Sequence, residues 1–206
     1  MNKVITVSRA FGSGGRELGK RLAELLGIAY YDHEIISGIA QKSGLAEAYV
    51  DSVVDRKVAA RYPITIGRTF SNAFDPQLEL NLRIYTQQCD IIKELASRSD
   101  CLLIGRCSDH ILRECRPFNM FVHADMDARV HRCREKEPAG ENLSDAALKA
   151  RILETDRGRA QYYKFWTERE WGAKEHYALC VNTTHMEIRD LALPLSGLLK
   201  ALLYNE

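Results

Sequence analysis

The residues with the clearest chemical potential lie near the start of the chain, in VITVSRAFGSGGRELGKRLAELLG, from Val4 to Gly27. Gly12, Gly14 and Gly15, interrupted by Ser13, permit backbone angles closed to other residues and let N–H groups approach a ligand closely. Placed between an apolar strand and a helix, such a loop adds the helix dipole to its own donors and suits a phosphate. Two patterns compete for it. The dinucleotide fingerprint G-x-G-x-x-G fits Gly12 and Gly14, but its third glycine falls on Glu17; Asp32 lies about where its ribose-binding acid would be. The P-loop pattern G-x-x-x-x-G-K-[ST] fits Gly15, with Ala10 at the first glycine, Arg16 in place of lysine and Glu17 in place of the hydroxyl residue. A generous strand-to-helix turn is the third reading.

Charged residues weigh on the choice. A transferring phosphoryl group spreads negative charge and needs cations from several directions. Arg16 can carry the lysine's charge, and its fork can take two phosphate oxygens. Glu17 is either a magnesium ligand, since Mg2+ accepts carboxylates while keeping waters, or a partner of Lys20 or Arg21; the four-residue spacing to Arg21 favours the pair. Arg106 directly follows the apolar run CLLIG and so projects from the carboxyl end of a strand, where ligands bind in such sheets. Arg157 and Arg159 would lie about 200° apart on an unbroken helix and could not share one phosphate unless Gly158 loosens it. Asp156 and Arg159 share a face. Asp32 can orient or deprotonate an acceptor hydroxyl, or bind a sugar or base. His33 and His110 are candidate pocket residues. Asp109 suits either magnesium or a helix start. Tyr162, Tyr163, Phe165 and Trp166 read as a packing face rather than a base stack. Cys107, beside Arg106, reads as a core thiol more than a reactive one.

Five short apolar runs are expected to be strands and to position these groups: Lys3–Ser8, Ile28–Tyr31, Cys101–Gly105, Phe118–His123 and Ala178–Asn182. Between them lie helical patterns. Leu18, Leu22, Leu25 and Leu26 recur at helical spacing up to Gly27. Ile91, Ile92, Leu95 and Ala96 form a second stripe. Ala124–Glu137 forms a third, closed by Pro138 and Gly140. Ser144 caps a long helix reaching Trp166, and a last helix runs from about Met186 to Leu203. Strands alternating with helices, and apolar on both faces, predict an α/β protein with a parallel sheet covered on both sides. Ala46–Glu79 shows no strand and reads as an irregular insertion, a kind of segment that is usually functional.

The 206 residues suit one large or two small domains, and the apolar share of 46% is enough to bury a core without staples. The net charge of +1 excludes a bulk field for nucleic acid or acidic membrane, so anion binding must be local. The six cysteines form no C-x-x-C pair, which argues against zinc and for free thiols in a reducing cytoplasm. No run has the length of a membrane span, and the start lacks the long apolar region of a signal peptide.

ITVSRAFGSGGRELGKRLAELLGIAYYDHEII, CLLIGRCSDHIL, FNMFVHADMDARVHRCREKE, ETDRGRAQYYKFWT and YALCVNTT occur in the order seen in the cytidylate kinase-like family. The chain resembles these relatives of bacterial CMP kinase, in the nucleoside monophosphate kinase group of P-loop proteins, over most of its length. The resemblance implies a three-layer P-loop NTPase fold over residues 1–206. Its parts would be a five-stranded parallel sheet, an acceptor-binding insertion at about 46–90 and a helical lid at about 140–172. It implies ATP-dependent, Mg2+-assisted phosphoryl transfer to a nucleoside monophosphate, CMP-like, or to another small phosphate acceptor. Gly12 to Arg16 match the phosphate loop, and Asp32 the start of the acceptor pocket. Arg106 matches the arginine of the family's GR, which contacts the acceptor phosphate. Arg129 and Arg132 fall near the site, and Arg159, with Arg157 beside it, in the lid. Departures are Arg16 and Glu17 in the loop and Thr155 and Tyr162 where lid arginines are expected. They leave a second reading: a nucleotide-binding protein without transferase activity, built on a degenerate loop that senses anions or serves interactions.

Overall fold

The computed structural model describes residues 2–54, 76–137 and 142–204. Strands β1 (Val4–Arg9), β2 (Ala29–Tyr31), β3 (Cys101–Ile104), β4 (Phe118–His123) and β5 (Leu179–Asn182) form one parallel sheet in the order β2-β3-β1-β4-β5. The central strand β1 pairs on one side with β3, Val4 opposite Cys101, and on the other with β4, Ile5 opposite Phe118. This order separates the two phosphate-loop patterns. A dinucleotide fold keeps β2 beside β1; here β3 lies between them. The chain has the fold of P-loop kinases.

Alternation along each strand divides the core in two. Cys101 and Leu103 face a cluster with Ile35, Ile36 and Ile39 of helix α2 (His33–Ser43) and Ile84 and Ile92 of helix α4 (Pro76–Arg98). Leu102 and Ile104 face the opposite cluster, with Leu18 and Leu22 of helix α1 (Gly15–Leu26) and Leu195 and Leu199 of helix α8 (Ile188–Tyr204). Each of these side chains, except Leu195, is fully removed from water, worth roughly 1.5–3 kcal/mol apiece before entropy is counted. The leucine spacing of α1 is thus the spacing that keeps one stripe on the sheet.

The expected strands appear within one or two residues of their bounds. The expected irregular stretch is helical at both described ends, as α3 (Glu47–Val54) and in the first turn of α4 from Pro76. The correction has a plain cause. The α3 sequence EAYVDSVV contains several residues of weak helix propensity, and its helix is held by Val50, which is fully buried against α2. The remainder of that expected insertion, residues 55–75, lies outside the described residues, as do Pro138 and Gly140. Helix α6 (Met126–Glu135) follows β4. Helix α7 (Asp145–Thr167) begins where expected: Ser144 accepts a hydrogen bond from the Ala147 N–H at 3.2 Å. All five strands deliver their carboxyl ends to one edge of the sheet, and the short helix α5 (Ser108–Ile111) and the loops there bound the site.

Candidate active site

The loop after β1 is shaped by two left-handed glycines, Gly12 at φ +77° and Gly14 at φ +80°. A side chain at Gly12 would strain the backbone and come within 2.9 Å of the Arg129 carbonyl. Thr183, just past β5, is fully buried and donates its hydroxyl to the Ser13 carbonyl at 2.7 Å. The Phe11 N–H donates to Asp156 Oδ1 at 2.8 Å, and the Ser13 N–H to the Ala10 carbonyl at 3.2 Å. The N–H groups of Gly12, Gly14, Arg16 and Glu17 bond to no described residue. The loop therefore keeps open donors at the positive end of α1, the arrangement that holds a phosphate.

Around this loop lies a cavity of about 1030 Å³ bounded by arginines from four elements: Arg9 of β1, Arg16 of α1, Arg132 of α6 and Arg151 and Arg159 of α7, with Arg106 beyond β3. Arg159 Nη1 donates to the Arg9 carbonyl at 3.2 Å, and its guanidinium stands 5.6 Å from the Phe11 ring centre. Arg132 reaches the Thr183 hydroxyl at 3.3 Å and the Met186 carbonyl at 3.0 Å, which ties α6 to the start of α8. Arg129 donates to the Phe11 carbonyl at 2.6 Å and pairs with Asp156. Asp156 thus accepts from both the loop backbone and Arg129, and helix α7 is locked to the phosphate loop through it.

The opposite wall carries Asp32, Arg16 and Arg106. The Arg16 side chain, 67% exposed, crosses the cavity mouth and its Nε pairs with the Asp32 carboxylate, which is only 6% exposed. Burial opposes the charge on Arg16, but Asp32 wins and holds the guanidinium more firmly protonated than usual. Tyr30 lies 3.4 Å from the same Asp32 oxygen, and burial raises its hydroxyl pKa above the ordinary range. Asp32 Oδ1 is buried and bonds to no described residue. Arg106 Nη2 pairs with Asp51 of α3 at 2.8 Å; the arginine side chain is 4% exposed and the aspartate 54%. Gly105, Arg106 and Cys107 run consecutively at φ +62°, +59° and +55°. Gln88 donates to the Arg106 carbonyl at 2.9 Å and in turn accepts from Tyr162 at 3.2 Å, which clamps this left-handed stretch from both helices α4 and α7. Two non-glycine residues in that region cost of order 1–3 kcal/mol each, the kind of strain found where a side chain must be aimed.

These elements reproduce a pattern that can be tested against known proteins. Residues 4–185 match the cytidylate kinase-like family. The chain belongs to that family. Among solved structures, an uncharacterized protein from Eubacterium ventriosum ATCC 27560 superposes with a TM-score of 0.68 at 19% identity, covering 97% of this chain and 99% of that one. Shikimate kinase from Bacteroides thetaiotaomicron gives 0.57 at 14% identity, covering 97% and 99%. Shikimate kinase from Acinetobacter baumannii, in complex with shikimate, gives 0.55 at 17% identity, covering 100% and 97%. These likenesses establish the fold. A comparison with curated proteins finds no match.

Within this family member, the residues singled out from the sequence are mostly gathered at one cavity: Gly12, Gly14, Gly15, Arg16, Glu17, Asp32, Arg106 and Arg159 all line it, and Ser13 is buried beneath. Arg157 does not line it. Helix α7 runs unbroken through Gly158, so the two-residue step from Arg159 turns Arg157 outward, where it is exposed. Glu17 is held by Arg21 at 3.1 Å and Lys136 at 2.8 Å, and the Lys136 hydrogen bond is the main cause of its lowered pKa. His33 lines the cavity 3.3 Å from Glu47. His110 does not line it, and burial lowers its pKa. Asp109 is buried on Tyr163, which donates to it at 2.5 Å. The aromatic run of α7 is packing: Tyr162 and Tyr163 are buried and Trp166 stacks on Tyr85 with ring centres 3.9 Å apart. Burial raises the Cys107 thiol pKa well above its usual value, which makes it inert. Among the described residues no cluster of three or more acids, histidines or cysteines could hold a metal. Sequence reasoning missed Arg9. Its one visible signal is a charge ending the otherwise apolar run VITVS.

Proposed function

We propose that this protein transfers the γ-phosphoryl group of ATP to a small acceptor, a CMP-like nucleoside monophosphate or another small phosphate acceptor, in the cytoplasm. The observation that carries the reading is the convergence of open loop amides and arginines from separate elements on one cavity at the carboxyl edge of the sheet. Family membership supports it. The polyphosphate would rest on the amides of the Gly12–Glu17 loop. Arg106 would receive the acceptor's phosphate by exchanging its Asp51 contact, and Arg159 would cover the transferring group. Asp32, with Arg16 across it, would orient the acceptor's sugar or base. In the transfer, the bond from the γ-phosphorus to the bridging oxygen breaks and its electron pair leaves with ADP. An acceptor oxygen forms the new bond; a phosphate oxygen brings no proton to remove, whereas a hydroxyl would hand its proton to Asp32. Positioning and charge stabilisation supply most of such a rate.

Magnesium commonly travels with nucleotide phosphates and keeps several waters. Glu17 is the proposed carboxylate for it, through an intervening water, because both its oxygens are engaged by Arg21 and Lys136. Direct ligation would require Lys136 to leave. When bound, the metal would screen the phosphate charge.

A second reading has its own support. Arg16, the loop arginine that residue types alone would set at the lysine position, is paired with Asp32, as suits a nucleotide-binding protein without transferase activity. A coupled assay of ATP consumption over a panel of nucleoside monophosphates and small alcohols separates the two. Turnover that is lost in Arg16→Ala and Arg106→Ala supports the kinase. Tight nucleotide binding with no turnover on any acceptor rejects it.

A further inference from the structure

Resting on that reading of the loop as a polyphosphate seat, we propose that Arg9 is its phosphate-binding cation, placed on the strand where a P-loop usually places a lysine on the helix.

The backbone assigns the loop a register different from the one its charges suggest. Gly14 is the left-handed residue immediately before α1, and Gly15 opens the helix. With Gly14 as the second glycine of G-x-x-x-x-G-K, the first glycine falls on Arg9 and the lysine on Gly15. The two positions have exchanged side chains. Sterics make the exchange mutual. A Cβ at position 15 would lie 2.6 Å from Arg9 Cβ, 3.3 Å from Arg9 Cγ and 3.1 Å from Val122 Cβ. Positions 9 and 15 cannot both bear a side chain unless something shifts, and the stem of Arg9 starts 2.6 Å from where a side chain at position 15 would start.

From there the guanidinium runs across the carboxyl end of the sheet toward Gly105. That glycine makes room: a Cβ on it would overlap Arg9 Nη1 and lie 3.2 Å from Cζ. Arg9 is 7% exposed, yet it lines the cavity between the loop and Arg106. Its backbone carbonyl is the acceptor for Arg159. The consequence is that the loop lost its lysine without losing its cation. Arg16, one turn-step further along α1, is left to reach Asp32.

Isothermal titration of the full chain with ATP and with inorganic tripolyphosphate tests this, with melting curves alongside. Arg9→Met should weaken both ligands by roughly 30-fold, the loss of one charged phosphate contact. Arg9→Lys should stay within about fivefold of the parent, since the charge is kept. Gly15→Lys alone should lower the melting midpoint. The exchange Arg9→Gly with Gly15→Lys should recover both the midpoint and most of the affinity, while Arg9→Gly alone recovers no affinity. Tripolyphosphate binding unchanged in a folded Arg9→Met chain overturns the proposal. So does an exchange variant that binds no better than Arg9→Gly, and that comparison decides the matter if Arg9→Met does not fold. A parent chain that binds neither ligand removes the polyphosphate seat itself, and the kinase reading with it. A parent that binds while the Arg9 series is indifferent removes only the role of Arg9.

Discussion

The two walls of the cavity are built differently. The loop wall is fixed by buried and part-buried polar contacts between distant segments: Thr183 on the Ser13 carbonyl, Asp156 on the Phe11 N–H, and Arg129 on both Phe11 and Asp156. The acceptor wall is held by ion pairs with one accessible member each, Arg16 with Asp32 and Arg106 with Asp51. Charges left partly in water exchange partners at low cost, and charges taken out of it do not. The loop wall is therefore suited to hold one invariant group, the polyphosphate. The acceptor wall is suited to trade its internal partners for a ligand.

The largest effect should come from the acceptor wall. Arg106→Ala is expected to lower kcat/KM for the acceptor by about 10²–10³-fold while leaving ATP affinity within about threefold, as one directed cation is worth in such sites. Steady-state kinetics with the acceptor identified by the panel assay checks it; equal losses for both substrates would erase the distinction between the walls.

Next, Asp156→Ala leaves Arg129 without its carboxylate among groups that are 10% and 18% exposed. The loss should be about 3 kcal/mol of stability, read as a fall in Tm of roughly 6–12 °C. Asp51→Asn, by contrast, should cost only about 1 kcal/mol, because Asp51 is half-exposed, and should lower the acceptor KM roughly twofold to fivefold by weakening one hold on Arg106. If both substitutions cost the same stability, the walls are not mechanically different.

Gly12→Ala probes the loop wall without touching a charge. The left-handed backbone and the Arg129 carbonyl 2.9 Å from the added Cβ predict a loss of about 1–3 kcal/mol, measured by chemical denaturation.

The smallest effect should be that of Glu17. Its folded pKa lies below the ordinary 4.5, chiefly because Lys136 donates to it, with Arg21 adding to the shift. A depressed carboxyl adds stability above its unfolded pKa and loses it as pH falls through the folded one. Glu17→Gln should therefore cost only about 0.5 kcal/mol at neutral pH. The difference from the parent should fade between about pH 5 and pH 3 in denaturation curves. A larger difference at low pH than at neutral pH would reverse the assigned sign.

How far the sequence reached depended on the kind of physics involved. A strand such as CLLI is apolar on both faces, so burial alone marks it, and the leucine stripe of α1 announces its own contact face. The loop was legible because glycine has few other reasons to cluster. Arg9 was not, because residue types suggest pairing Arg16 with the lysine position, and only the backbone angle of Gly14 reveals the register. The clamp through Thr183 and Asp156 joins residues more than a hundred positions apart, which no local pattern encodes. Helix α3 carries no clear local signal, because tertiary burial of Val50, not propensity, sustains it. Arg157, expected at the nucleotide, faces outward instead, because the 3.6-residue turn runs on through Gly158.

The position of β1 at the middle of the sheet has a consequence for biogenesis. As the chain is made, β1 has no strand to pair with until Cys101–Ile104 and Phe118–His123 have followed it. At 5–20 residues per second, that interval is roughly 5–20 s. Through it, VITV remains an unsheltered apolar segment. Chaperone capture is expected during that interval, and refolding in vitro should be slow because the decisive pairings span about half of the chain.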